Sequence, residues 1–195
     1  MDMMPANNTI RTFIACPIPM EISTRLLKLQ DQLSIYNWKV KWVPVSNIHI
    51  TLSFLGDIQS SMQKTITQAI QPLIRSQKPF ELSLGNLGVF PGVRRPNVLW
   101  VGLTGEIQSL IIFQNKLEGV LKPLGYIGDK RNYKAHLTVG RIKGPVPKNQ
   151  LAKVLCLDIS KENQKFICDR LVFYQSILSP KGAQYSVLHE WHFNL

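Results

Sequence analysis

Hydrophobic residues follow several different spacings along the chain, and each spacing predicts a different kind of element. Residues 13–16 form an unbroken apolar run, which is typical of a strand buried on both faces. An amphipathic helix is predicted next, from a stripe made of Ile22, Leu26, Leu29 and Leu33. Segments in which apolar and polar residues alternate, such as 48–55, predict strands with one apolar and one polar face.

The same patterns predict the order of elements along the whole chain. Strands are expected at 10–16, 40–43, 48–55, 80–89, 97–103, 134–142, 166–178 and 183–193. Helices are expected at 19–35, 60–74, 106–121 and 147–155. Gly56-Asp57 gives a turn signal after the third strand, and Pro72 weakens the last predicted turn of the second helix.

This order of elements favours one fold class. Strands and helices do not alternate strictly, and several neighbouring strands leave room only for short turns between them. We therefore expect an α+β fold, with antiparallel sheets and helices packed on one face, in preference to a doubly wound parallel sheet. The second half of the chain echoes the order of the first half, which indicates an internal duplication.

Two of the alternating segments carry the same tetrad, His-apolar-Thr-apolar, at 49–52 and at 136–139. Because side chains of a strand alternate between faces, each tetrad points its histidine and threonine one way and its apolar residues the other way. After the first tetrad, Ser53 is expected on the polar face and Phe54 on the buried face. After the second, Gly140 is expected on the polar face, where it leaves space for a ligand or for close approach of backbone.

Composition places these tetrads in a strongly basic chain. Of the 195 residues, 23 are Lys or Arg and 12 are Asp or Glu, which gives a formal net charge of +11. Such a surplus favours anionic partners, although solvated lysine faces alone can account for much of it. The apolar runs fall short of the ~20 residues of a membrane helix, and residues 1–8 lack the pattern of a secretory signal. The three cysteines are widely spaced, so we expect reduced, mostly buried thiols and a cytoplasmic protein.

The paired tetrads suit proton transfer at a phosphate ester. Imidazole has an ordinary pKa of ~6.5, so it can accept or donate a proton near neutral pH. One imidazole can take a proton from the attacking water while the other protonates the departing oxygen, and threonine hydroxyls can bind the phosphate oxygens. None of these steps needs a metal ion, and no Asp or Glu accompanies either motif histidine at close ligand spacing. His189 and His192 are predicted on opposite faces of the last strand, as surface or edge residues.

A cation would complete such a site, and Arg141 is the nearest candidate. Strict alternation places Arg141 on the face opposite His136, so it reaches the cleft only if the strand ends or bulges near Gly140. The candidates for a basic rim are Lys130, Arg131, Lys134, Arg94 and Arg95, and those for base stacking are Trp42, Phe90 and Tyr133. Such charged residues are more often solvated surface than a substrate clamp, and Trp42 and Trp100 are more often core than a platform for a base.

Together the two tetrads resemble those of the 2H phosphoesterase superfamily, and most of all its RNA 2',3'-cyclic phosphodiesterase group, also called 2'-5' RNA ligases. The resemblance spans nearly the whole chain. It includes 11–15 (Arg-Thr-Phe-Ile-Ala), 42–44 (Trp-Val-Pro), 47–56 around the first tetrad, 98–102 (Val-Leu-Trp-Val-Gly), 135–141 around the second tetrad, and 179–185. Ala135 departs from the pattern, because many relatives have proline there.

The resemblance implies a fold and a set of residue roles. Residues 1–195 would form a single bilobal α+β domain with two similar lobes, each with an antiparallel sheet and flanking helices, and the His-x-Thr strands would face a central cleft. By position in the motifs, His49 would be the proton donor to the leaving 3' oxygen, and His136 would be the proton acceptor that activates water. Thr51, Thr138 and Arg141 would bind the substrate phosphate.

The implied reaction is metal-independent hydrolysis of RNA 2',3'-cyclic phosphate ends to 2'-phosphomonoesters, which the same family can also run as 2'-5' RNA ligation. No metal, cofactor or membrane partner is implied, a monomer is expected, and tRNA fragments are candidate substrates. Two alternatives stay open: an RNA-binding module without turnover, and a 2H phosphoesterase acting on another cyclic or 2'-linked nucleotide. Turnover of a cyclic-ended RNA distinguishes both from the leading hypothesis.

Overall fold

The computed structural model describes residues 8–126, 128, 133–159, 165–180 and 182–194. The strands in this part of the chain are β1 (Thr9–Pro17), β2 (Val40–Trp42), β3 (His49–Gln59), β4 (Phe80–Phe90), β5 (Val98–Gly105), β6 (His136–Ile142), β7 (Phe166–Cys168), β8 (Arg170–Ser179) and β9 (Gly182–His192). The helices are α1 (Met20–Ser34), α2 (Met62–Arg75), α3 (Ile107–Leu121) and α4 (Lys148–Leu155). Single turns of 3-10 helix lie at Val45–Asn47 and Lys122–Leu124.

Most predicted elements are confirmed, with small changes at their ends. The apolar stripe of the first predicted helix is buried in α1, and residues 12–16 of β1 are buried on both faces. Pro72 lies exposed inside α2, and the helix continues past it to Arg75. The single strand predicted at 166–178 is wrong, because the chain leaves the sheet at Asp169: β7 pairs with β4, whereas β8 pairs with β1.

The thiols and the helix lengths bear on two further expectations. All three cysteines are free, with Cys16 and Cys168 buried and Cys156 exposed, so two of the three follow the prediction of buried thiols. Among the described residues, no helix is both long enough and apolar enough to cross a membrane.

Each pairing between the described strands is antiparallel, which confirms the α+β class. The strands follow the order β7-β4-β5-β6-β3-β1-β8-β9, with β2 also paired to β6. The two halves of this sheet meet at β3 and β6, where one residue pair, Ile50 with Leu137, is in register. Helices α2 and α3 pack on each other and on β3, and α1 and α4 pack on the half that contains β4 and β6. Each half therefore brings one tetrad strand to the junction.

Each tetrad strand has a bulge directly after its threonine. The pairing of β3 with β1 shifts by one residue at Leu52, and the pairing of β6 with β5 shifts by one residue at Val139. An extra residue in a strand restarts the alternation of faces beyond it. Phe54 and Arg141 are therefore exposed on the same face as the tetrads. The prediction that Phe54 is buried is wrong for this reason. Arg141 reaches the tetrad face through a bulge next to Gly140, which is the condition that its predicted place in the cleft required.

A buried glutamine binds the carbonyl oxygen of each bulged residue. The Gln30 side chain of α1 donates a hydrogen bond to the Val139 carbonyl at 2.9 Å, and the Gln114 side chain of α3 donates one to the Leu52 carbonyl at 3.2 Å. Buried carbonyl oxygens need hydrogen-bond donors, and the Val139 carbonyl also accepts one from the Val43 amide at 3.0 Å. Both glutamines occupy the same place in their helices, in Leu-x-x-Leu-Gln-x-x-Leu of α1 and Leu-x-x-Phe-Gln-x-x-Leu of α3. This repeated arrangement supports the internal duplication.

Strand β3 also continues through the predicted turn. Gly56 and Asp57 pair with Thr12 and Arg11 of β1, so the turn predicted there is wrong. A second register shift, at Leu55, precedes Gly56. The φ of Gly56 is +72°, a conformation that glycine adopts without strain. The glycine therefore belongs to a bulge inside a long strand and not to a turn at its end.

Candidate active site

The polar residues of the two tetrads share one face at the junction of β3 and β6: they are His49, Thr51, His136 and Thr138. Ile50 pairs with Leu137 in antiparallel register. Each histidine is therefore opposite the threonine of the other tetrad, and the two histidines lie on a diagonal. The four side chains therefore project from neighbouring strands on the same face of the sheet.

Both histidines are held by the same kind of hydrogen bond. Nδ1 of His49 lies 2.8 Å from the carbonyl oxygen of Asn47, and Nδ1 of His136 lies 2.7 Å from that of Lys134. Because a carbonyl oxygen can only accept, Nδ1 carries the hydrogen in each ring and donates it. The neutral imidazoles then present Nε2 as a free proton acceptor. The backbone thus fixes the tautomer and orientation of both rings.

His49 is enclosed by aromatic rings of the β1, β3, β8 and β9 half. Its ring stacks on Phe13, with centroids 4.7 Å apart, and meets the edge of Tyr185 at 5.5 Å. Burial lowers the pKa of His49 to about 4, the bond to Asn47 opposes this shift in part, and the charge of His136 adds to it. His49 is therefore uncharged at neutral pH.

His136 lies against aromatic rings of the other half. The Phe90 ring meets it at 5.0 Å between centroids, and the Trp100 ring lies 6.1 Å away. Burial lowers the pKa of His136, the bond to the Lys134 carbonyl opposes this, and the positive charge of Lys134 lowers it further. The Lys134 ammonium lies over the Trp100 ring at 4.3 Å. Both histidines are thus neutral bases in the free protein.

A cavity of about 760 Å³ opens beside the tetrads. Four of the five predicted site residues line it: His49, Thr51, Thr138 and Arg141. His136 does not line this cavity and lies beside Thr51 on the neighbouring strand. The other wall is formed by the β8–β9 hairpin, including Ser176, Ser179 and Tyr185. The cavity is large enough for a nucleotide-sized ligand, because such sites measure ~300–1,000 Å³.

The charged side chains lining the cavity are all cations: Arg11, Lys41, Arg141 and Lys143. Lys41 of β2 is paired directly with Arg141 of β6. Like charges at opposite positions repel, and within the described residues neither forms an ion pair with a carboxylate. The Arg141 charge also reaches Tyr185, where it opposes the rise in the pKa of Tyr185 caused by burial. An anion bound here would reduce the repulsion, so the cavity favours an anionic ligand.

The remaining candidates from the sequence are placed differently. Trp42 lines the cavity, whereas Arg94 and Arg95 line a separate groove. The Tyr133 hydroxyl donates a hydrogen bond to the Thr51 carbonyl at 3.1 Å, so this ring supports β3 and does not line the cavity. Lys130 and Arg131 lie outside the described residues.

The two C-terminal histidines lie in β9, outside the cavity lining. His189 packs against the ring of Trp191, with centroids 4.6 Å apart. His192 is exposed and its Nε2 lies 3.0 Å from a carboxylate oxygen of Glu190. They occupy opposite faces of a regularly paired segment, as the alternation predicts.

Gly140 has a packing role instead of the predicted place on the polar face. It is buried, and a Cβ added to it would lie 2.7 Å from Val40 and 3.1 Å from the Trp42 ring. Because contacts of that length do not occur without a shift of the neighbours, the glycine lets β2 approach β6 closely. Of the two explanations that the sequence offered, close approach is the one that holds.

Several residues that position the site were not predicted from the sequence. The Asn47 side chain donates a hydrogen bond to the Ala183 carbonyl at 2.7 Å, which ties the His49 segment to the β8–β9 hairpin. Phe13 gave no signal, because it belongs to a continuous apolar run. Gln30 and Gln114 did carry a signal, since each is a polar residue inside an apolar helical stripe.

Comparisons with known proteins identify the family of this chain. A sequence model of the family described as LigT like Phosphoesterase matches residues 17–100. An RNA 2',3'-cyclic phosphodiesterase of Archaeoglobus fulgidus is 32% identical over 179 residues, covering 92% of this chain and 98% of the relative. The chain belongs to the RNA 2',3'-cyclic phosphodiesterase family. A second family member, from Methanothermobacter thermautotrophicus, is 29% identical over 177 residues, covering 91% of this chain and 95% of the relative.

Solved structures share the fold of this family member. A Thermus thermophilus protein superposes with a TM-score of 0.80 at 24% identity, covering 94% of this chain and 98% of that one. Escherichia coli LigT complexed with 3'-AMP gives a TM-score of 0.79 at 22% identity, covering 96% and 99% of the two chains. The bilobal α+β architecture implied by the family resemblance is therefore confirmed.

Proposed function

We propose that the chain hydrolyses RNA 2',3'-cyclic phosphate ends to 2'-phosphomonoesters by two-histidine acid/base catalysis that needs no metal ion or cofactor. One observation carries this proposal: two histidines with carbonyl-bound Nδ1 atoms share one strand face, beside a cavity whose charged residues are all cations. Relatives named for this activity, among them the one at 32% identity, support the choice of substrate.

The phosphate lies between the tetrads in this proposal. The hydroxyls of Thr51 and Thr138 donate hydrogen bonds to its non-bridging oxygens. Arg141 and Lys41, which repel each other in the free protein, neutralise its negative charge. Donors and cations that are in place before the reaction stabilise the charge that develops on phosphorus in the transition state.

The histidines divide the proton transfers. Nε2 of His136 accepts a proton from water as the water oxygen bonds to phosphorus. The bond from phosphorus to the 3' oxygen breaks, its electron pair stays on that oxygen, and His49 donates a proton there. The product carries a 2'-phosphate and a free 3'-hydroxyl, and proton exchange with solvent restores both rings. With a 5'-hydroxyl in place of water, the same step forms a 2'-5' linkage.

The assignment of His49 as the acid requires that it carries a proton when substrate is bound. Burial keeps the pKa of His49 at about 4 in the free protein. The negative charge of a bound phosphodiester favours the imidazolium form, so substrate binding raises this pKa. Bound substrate thus favours the protonated form of His49 that the reaction requires.

RNA ends, with tRNA fragments as one class, are the expected partners, and the net charge of +11 supports a polyanionic substrate. We also infer a cytoplasmic monomer in which residues 1–195 form one bilobal domain. Light scattering at assay concentration tests whether the protein is a monomer, and a single cooperative unfolding transition tests whether it is one domain.

Alanine variants of the two histidines test the catalytic proposal. Wild type, His49→Ala and His136→Ala are incubated with an oligonucleotide ending in a 2',3'-cyclic phosphate, with chelator present. His192→Ala is the matched control, because this exposed histidine lies outside the cavity. Loss of a general acid or base should lower kcat by ~10²–10⁴-fold. Undiminished turnover in either active-site variant would overturn the proposal, and so would RNA binding by wild type without any product.

A further inference from the structure

A second groove, of about 520 Å³, lies where β6 ends. The charged side chains that line it are Arg94, Arg95, Lys143 and Lys148, and no Asp or Glu lines it. We call these residues and the space between them the basic groove. Lys143 also lines the active-site cavity, so the two spaces share one wall. The phosphate chemistry described above does not use the other three cations.

The basic groove continues the row of cations that begins in the active-site cavity. Arg141 and Lys143 are two residues apart at the end of β6, which is ~7 Å along an extended chain. The loop that carries Arg94 and Arg95 is bound to the same segment, because the amide of Ile142 donates a hydrogen bond to the Asn97 carbonyl at 2.9 Å. The hydrogen bond holds the backbone of this loop beside the end of β6, and Lys143 joins the groove to the cavity.

The side chains of the groove are available for a ligand. Arg94, Arg95 and Lys148 are exposed, and within the described residues none of them forms an ion pair with a carboxylate. The uncharged part of the lining is mostly apolar, with two prolines, two valines and Ile142 beside Asn97 and Gly144. Cations along apolar walls match a single-stranded nucleic acid, whose phosphates need positive charge and whose sugars and bases offer apolar surface.

We propose that the basic groove binds the RNA backbone on the 5' side of the cyclic phosphate. This inference rests on the proposed function. A cyclic phosphate is the last group of its strand, so every other phosphate of the substrate lies on the 5' side and must leave the cavity in one direction. The edge at Lys143 offers a continuous cationic path for them. The groove thus makes the enzyme prefer cyclic-ended RNA chains to cyclic mononucleotides.

A triple variant isolates the groove from the active site. Arg94→Gln/Arg95→Gln/Lys148→Gln removes the three groove cations and leaves Lys143, which lines the cavity, in place. The matched control is Lys28→Gln/Lys64→Gln/Lys116→Gln, which removes the same charge from exposed helix positions outside both spaces. Because all six side chains are exposed, both variants should fold as wild type does, and circular dichroism checks this.

Two substrates separate groove binding from catalysis. For an eight-nucleotide RNA ending in a 2',3'-cyclic phosphate, the groove variant should raise KM by roughly tenfold, as expected for three exposed charge pairs. For a 2',3'-cyclic mononucleotide, its KM and kcat should equal those of wild type. For the control variant, the KM of each substrate should change only by the general effect of removing three positive charges.

Binding without turnover provides an independent measurement. Fluorescence anisotropy of the labelled octanucleotide is recorded in the His136→Ala background at several salt concentrations. Loss of three phosphate contacts should reduce the slope of log K against log salt by about 2, at ~0.7 for each contact. If wild-type protein hydrolyses neither substrate, the proposed function is wrong. The salt dependence of RNA binding then tests the groove proposal by itself.

Two results would overturn the groove proposal. The first is an equal KM and an equal salt slope for the groove variant and the charge-matched control. The second is weaker use of a 5'-hydroxyl acceptor strand in ligation with no change in the KM for hydrolysis. That second result would place the acceptor strand, and not the 5' side of the substrate, in the groove.

Discussion

Replacing the buried Gln30 of α1 should disturb the arrangement of the active-site residues. Gln30→Met keeps the length and apolar stem of the side chain but removes its amide. That amide donates hydrogen bonds to the carbonyls of Val43, at 2.8 Å, and Val139, at 2.9 Å. The Val139 bulge is what returns Arg141 to the face of the tetrads. We therefore expect Gln30→Met to lower both stability and phosphate binding.

The contacts of Gln30 set the size of the stability effect. The Val139 carbonyl keeps a second donor, the Val43 amide at 3.0 Å, whereas the Val43 carbonyl loses the side-chain donor described here. One partly buried acceptor is thus left without that donor. The expected fall in the free energy of unfolding is about 1–3 kcal/mol, the usual cost of an unsatisfied buried group.

Urea unfolding and a double-mutant cycle test this account of Gln30. Gln68→Met, at an exposed position of α2, is the control and should change stability by less than about 0.5 kcal/mol. In activity assays, Arg141→Gln should cost less kcat/KM in the Gln30→Met background than in wild type, because the arginine is already displaced. Full additivity of the two losses would refute the link between the glutamine and Arg141.

Three further predictions concern the residues around the phosphate. Arg141→Gln should lower kcat/KM for the cyclic phosphate by roughly tenfold or more, as loss of a charge-assisted hydrogen bond does; a change below about twofold would contradict its role. Gly140→Ala should reduce the free energy of unfolding by about 1–3 kcal/mol because its Cβ would overlap Val40, whereas Gly119→Ala, with open space around it, should not. Between pH 8 and pH 5, the free energy of unfolding should fall by about 2 kcal/mol more in wild type than in His49→Asn. The reason is that His49 binds a proton near its ordinary pKa in the unfolded chain, while burial holds its pKa at about 4 in the folded protein. An equal fall in both proteins, measured by urea unfolding at the two pH values, would contradict this.

Alternation and helical spacing predicted the elements that form the core and placed both tetrads in strands. They also predicted a shared polar face for His49 and Thr51, because nothing interrupts the strand between these residues. The same rule fails beyond the threonine of each tetrad, at Phe54 and Arg141. A bulge adds a residue without changing composition, so the local pattern of apolar and polar residues gives no warning of it.

The information about the bulges lies in other parts of the chain. Gln30 and Gln114 satisfy the bulged carbonyls from helices that are distant in sequence, so their role follows only from tertiary packing. The break at Asp169 depends on pairing as well, because β7 pairs with β4 whereas β8 pairs with β1. Local propensity identifies elements, whereas pairing partners decide where they bend.

The identity of the product tests the central claim most directly. An oligonucleotide ending in a 2',3'-cyclic phosphate is incubated with the purified protein and a chelator, and the terminal phosphate is assigned by ³¹P NMR. The proposed roles of His49 and His136 predict a 2'-phosphate and a free 3'-hydroxyl, with the signal absent in either alanine variant. A 3'-phosphate product, or a cyclic phosphate left intact by wild type, would contradict the account.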